Sequence, residues 1–148
     1  MACPFFMPMQ KSDNGMWPHP ARLPLGRGWS GNCTAPGHEG QLPTQEAQEE
    51  SCNLGYAATC DWLPAQRPWD AVRFAVVAQE SGVRNRVVHL RYVCERDHRP
   101  VEHGRLTFGA GAGWVVMHPD VRVQKMAACI LESWMAKNTV PAVDNVAS

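Results

Sequence analysis

The first 64 residues contain no valine and no isoleucine, yet they hold eight of the twelve prolines and seven of the twelve glycines. Every valine, and the one isoleucine at Ile130, falls in residues 65–148. A segment without β-branched aliphatics buries little apolar surface against the entropy of ordering its backbone. It is therefore either disordered or held by something other than a core. Disordered segments are poor in aromatic residues and cysteine, whereas this one carries Phe5, Phe6, Tyr56, three tryptophans and four cysteines. Small segments with weak cores rely on disulfides or a metal. Residues 1–64 are accordingly read as stapled.

Composition narrows the class of protein. The chain has 148 residues, about one ordinary domain. Fourteen Lys and Arg balance 14 Asp and Glu, whereas a dedicated nucleic-acid binder usually carries a basic excess. Mean hydropathy is −0.32, and no apolar run approaches the ~18 residues of a membrane span. Charge divides along the chain. Residues 1–64 hold three basic residues against six acidic ones, a balance of −3, and residues 65–148 carry the opposing +3.

The staple is sought in Cys3, Cys33, Cys52 and Cys60, all within the segment that lacks a core. Four is the number of thiolates that a structural zinc or a cubane iron–sulfur cluster takes. The competing reading, two disulfides, needs an oxidising compartment. No N-terminal stretch combines a basic start, an apolar core and a cleavage site, so a cytoplasmic, reducing setting is expected. Structural zinc sites usually include a C-x(2–4)-C pair, and none occurs here. Standard ferredoxin spacings are also absent. Widely spaced ligands suit a cluster whose thiolates attach to separate irons, and Pro4 follows Cys3 as a proline follows one ligand in the bacterial ferredoxin run. A [4Fe-4S] cluster is therefore expected, with zinc as the alternative. Phe5, Phe6, Met7, Trp29, Tyr56 and Trp62 are candidates to shield it from water.

Local signals support an organised site. Thr44 is a helix cap, Glu46 lies in the first turn, and Gly55 is a natural stop, which predicts a helix running through Cys52. The loop around Cys33 is rich in Gly and Pro, where backbone amides can point at sulfur. Of the remaining ligand candidates, histidines 19, 38, 89, 98, 103 and 118, His38 lies five residues after Cys33 and is the substitute for a cysteine that spacing allows.

Residues 65–137 read as a plain α+β scaffold. Trp69–Gln79 is a strand with Val72, Phe74, Val76 and Ala78 on one face, followed by a turn over Glu80–Val83. Arg86–Arg96 is a second strand, in which Val88, Leu90, Tyr92 and Cys94 alternate with Val87, His89, Arg91, Val93 and Glu95. Asp97–His103 is a polar connection, Gly104–Phe108 a short third strand, and Gly109–Gly113 a flexible loop without the lysine of a phosphate loop. From Pro119, apolar positions from Val123 to Met135 follow helical spacing, and residues 138–148 are left as a flexible tail. Cys94 and Cys129 fall on the apolar faces and are expected to be core thiols, not ligands.

The fold expected is thus α+β, a small antiparallel sheet packed on one C-terminal helix, preceded by a loop-rich, four-cysteine metal-binding segment. The function expected is a small iron–sulfur protein serving electron transfer or acting as a structural accessory subunit of a larger assembly. It is not read as an enzyme in itself. A zinc-stabilised protein- or RNA-binding module is the alternative, and a cysteine-dependent enzyme is a third reading. Its Trp, Met and Arg residues point to a protein partner or a homo-oligomer. Nucleic acid is not expected as a partner.

Overall fold

The computed structural model describes residues 2–11, 23–56, 60–81 and 86–147. Its first element is a strand pair that the sequence pattern does not predict. Phe6–Lys11 (β1) and Trp29–Cys33 (β2) run antiparallel as a separate two-stranded sheet. β2 buries Trp29, Gly31 and Cys33 in alternation, a strand pattern built without any β-branched residue. Pro8 fits because the register shifts between Pro8 and Gln10, and a bulge tolerates a missing N–H. Gly31 lies against the Met7 carbonyl oxygen, where any Cβ would overlap it.

The expected helix before Gly55 is present in two parts. Gln45–Ala47 (α1) is capped by the Thr44 hydroxyl, which accepts from the Ala47 amide at 3.1 Å. The backbone then widens into a π-helical turn over Gln48–Cys52 and leaves through Gly55, whose φ is +73°.

The second sheet has four antiparallel strands in chain order: β3 (Ala71–Ser81), β4 (Arg86–Arg96), β5 (Arg99–Gly109) and β6 (Gly113–Val116). Three expectations need correction. The third strand is not short, because the turn after β4 is only Asp97–His98, both at positive φ, and pairing resumes at Arg99. Gly109–Gly113 is not a loose link to the helix, because it reverses the chain into β6. A bulge between Val76 and Ala78 then breaks the unbroken alternation expected along Trp69–Gln79 and sets Gln79 opposite Val88. Of the turn expected at Glu80–Val83, Glu80 and Ser81 belong to β3, and residues 82 and 83 lie outside the described ones.

The C-terminal helix, α2, spans Val121–Ala147, with Asp120 accepting from the amides of Arg122 and Val123. Helical backbone thus runs through 138–147, which the sequence pattern leaves as a tail. At the helix entrance the His118 ring accepts the Asp120 amide at Nδ1, so Nε2 carries the proton it donates to Glu102 at 2.6 Å.

The apolar interior joins both parts of the sequence. Ala2, Cys3, Phe5, Phe6, Leu25 and Trp29 pack in one cluster with Val72, Cys94, Val123, Met126 and Cys129. Each fully buried Phe, Leu or Val contributes about 1.5–3 kcal/mol. Ala2 and Val72 exchange backbone hydrogen bonds of 2.7 and 2.8 Å, fixing the start of the chain beside β3. The valine-poor segment thus borrows its core from the sheet and helix. A smaller cluster of Val88, Leu90 and Leu131 lies farther along α2. Among the described residues no helix is long and apolar enough to cross a membrane.

Candidate metal centre

Cys3, Cys33, Cys52 and Cys60 line one cavity of about 360 Å³. Each arrives on a different stretch of backbone. Cys3 follows the Ala2 bridge in a turn closed by the Phe6 amide on the Cys3 carbonyl, 3.1 Å. Cys33 ends β2 opposite Phe6, and its loop is closed by amide bonds to Gln41 and from Gly40, each 2.9 Å. Cys52 ends the π-helical turn. Cys60 opens a turn in which the Leu63 amide donates to its carbonyl at 3.2 Å.

Two buried amide side chains, neither part of any sequence motif, hold these stretches together. Gln48 accepts from the Gly31 amide at 3.3 Å and donates to the Pro43 carbonyl at 2.9 Å. Asn53 accepts from the Trp29 amide at 3.1 Å and donates to the carbonyls of Trp29 and Gln48 at 3.0 and 2.8 Å. The strand ending in Cys33 is thereby bonded to the turn ending in Cys52. The one hint in the sequence is a pair of amide residues, five apart, that bracket Cys52.

The thiols occupy an environment that resists lone thiolates. Cys3, Cys33 and Cys52 are buried and Cys60 is partly exposed. Desolvation is the largest influence on Cys3 and pushes it up to about 11, with the Phe5 amide opposing and the charges of Cys33 and Cys60 adding. Desolvation also pushes Cys52 up, reinforced by Cys3, Cys33 and Cys60. Cys33 is raised by desolvation too, opposed by the Ala35 amide, which donates to its sulfur at 3.3 Å. That amide is the sulfur-directed donor expected of this loop.

All six cysteines are free thiols. Among the described residues, no group of three or more His, Cys, Asp or Glu is arranged to hold a metal ion.

Of the expected shield, Phe5, Phe6 and Trp62 line the cavity, whereas Met7, Trp29 and Tyr56 do not. Trp29 is buried in the core, and Tyr56 instead donates to Glu95 at 2.8 Å. His38 is not among the lining residues; it stacks on Trp62 with ring centroids 4.5 Å apart. Cys94 and Cys129 sit in the core, each pushed up to about 12 by desolvation. Glu46, Glu50 and Asp61 also line the cavity, a placement that no motif signals.

No protein family, curated protein or solved structure matches the chain.

Proposed function

We propose that this protein carries a [4Fe-4S] cluster on Cys3, Cys33, Cys52 and Cys60, and serves as an electron-transfer protein or structural accessory subunit of a larger assembly. The observation that carries this reading is the arrival of four thiols from four separate stretches at one cavity. A zinc ion requires its sulfurs about 2.3 Å from a single point. Four ligands arriving on separate, widely spaced stretches suit a group several atoms across, in which each thiolate binds its own iron. When bound, such a cluster supplies one-electron redox chemistry.

The chain's own residues have distinct parts in this reading. The Ala35 amide stabilises negative charge on the Cys33 sulfur. Phe5, Phe6 and Trp62 keep water from the sulfurs. Gln48 and Asn53 keep the Cys33 and Cys52 backbones in place. Six free thiols also fit a reducing, cytoplasmic setting.

The test is metal and sulfide analysis of anaerobically purified protein, with electron paramagnetic resonance before and after reduction. Iron and acid-labile sulfide in equal amounts, with a cubane signal, support the proposal. Colourless protein with one equivalent of zinc replaces it with the zinc-stabilised binding module. Folded, metal-free protein with one reactive thiol points instead to cysteine chemistry.

A further inference from the structure

Ala75, Arg91 and Arg105 stand side by side across β3, β4 and β5. The neighbouring rows are Arg73, Val93 and His103 on one side, and His89 with Thr107 on the other. These residues alternate with Val88, Leu90, Cys94 and Leu106, which are the buried set, so they form the sheet's outer face. Arg73 is 3.4 Å from Glu95. Arg91 and Arg105 are exposed and have no ion-pair partner among the described residues. Like charges directly opposite one another on a sheet repel.

No acidic residue in these rows relieves that repulsion. Glu95 is buried beneath Tyr56, and Glu102 accepts from His118. Two guanidinium forks presented together bind carboxylates in bidentate fashion. We infer that the outer face of the four-stranded sheet, centred on Arg91 and Arg105, is a docking surface for an acidic polypeptide. Charge complementarity favours such a partner, and half-buried Val93 with exposed Val77 offers aliphatic contact beside the arginines. RNA fits less well, because sheets that bind RNA stack bases on aromatic side chains. Phe74, Tyr92 and Phe108 all pack into the interior clusters, leaving no Phe, Tyr or Trp in the three rows. This inference is independent of what the cysteine cavity holds.

The test uses fluorescein-labelled oligoglutamate and oligouridylate as probes, titrated with the full chain at several salt concentrations and read by anisotropy. Arg91→Thr combined with Arg105→Thr should weaken oligoglutamate binding about tenfold or more, the size expected for losing charge-assisted hydrogen bonds. Arg99→Gln, an exposed change at the hairpin, should leave it within about twofold. The double variant should melt no lower than the parent, because the opposed charges are gone, and this separates lost binding from lost folding. Unchanged oligoglutamate binding in the double variant, an equal loss in Arg99→Gln, or tighter binding of oligouridylate would each overturn the inference. So would self-association abolished by the double variant, which would give the face to a second copy of the chain.

Discussion

The backbone N–H of Cys3 donates to the carbonyl oxygen of Cys52 across 3.0 Å, joining two candidate ligands from distant parts of the chain. This bond involves no sulfur atom, so it can hold the two cysteines together whether or not their thiols bind anything. With Gln48 and Asn53 it makes part of the cavity wall a product of folding.

The four cavity cysteines should behave as one set. Serine at Cys3, Cys33, Cys52 or Cys60 should abolish or strongly reduce iron and sulfide content. Cys94→Ala and Cys129→Ala should retain both and cost about 1 kcal/mol of stability, the ordinary size of a small core change. Iron and sulfide assays alongside urea denaturation check this. Cluster loss in either core variant would refute the ligand assignment.

Cofactor-free protein should lose stability as pH rises from about 9 to about 11. Cys3 is raised from 9.0 to about 11 in the fold. Over that window the unfolded thiol releases its proton while the folded one keeps it. The unfolded state therefore binds fewer protons, and stability falls with pH. Below pH 9 this contribution is fully present. Thermal melts across the window, compared with Cys3→Ala, should show a shallower slope in the variant.

Gly31→Ala should be disproportionately damaging for one added methyl. The new Cβ overlaps the Met7 carbonyl, which is backbone and cannot swing away. Parting β1 from β2 should cost about 1–3 kcal/mol, as for other overpacked interiors. It should also displace Cys33, two residues farther along. Urea denaturation together with iron content should show both effects.

Tyr56→Phe should destabilise the protein by about 1–3 kcal/mol without altering iron content. The Tyr56 hydroxyl donates to buried Glu95 at 2.8 Å and accepts from the His98 amide at 3.0 Å. Removing it leaves Glu95 with Arg73, 3.4 Å away, and takes an acceptor from the hairpin tip. Equilibrium unfolding would reveal the loss, and unchanged iron would separate it from the cavity.

The sequence revealed the scaffold where one period dominated. The alternation along Arg86–Arg96 and the helical spacing after Asp120 both appear in the structure. The Thr44 cap and Gly55 stop were also readable, because capping is local chemistry. The β1–β2 pair was not, since Phe6–Lys11 contains a proline and Trp29–Cys33 a glycine, and their strand character comes from each other. Bulges hid the rest. The one between Val76 and Ala78 interrupts the β3 alternation, and Glu95, expected on the polar face, is 6% exposed because Tyr56, far away in sequence, bonds to its carboxylate. The convergence of the four cysteines on one cavity depends on contacts such as Cys3 with Cys52, which spacing alone does not encode.

Glu46, Glu50 and Asp61 stand around the same cavity as the thiols. Their charges oppose the arrival of any further negative charge in that space. A redox group seated among Cys3, Cys33, Cys52 and Cys60 would hold an added electron less firmly than it would in a neutral shell. With such a group in place, the carboxylates would favour release of an electron over its capture. Because all three are exposed, rising ionic strength should soften that preference.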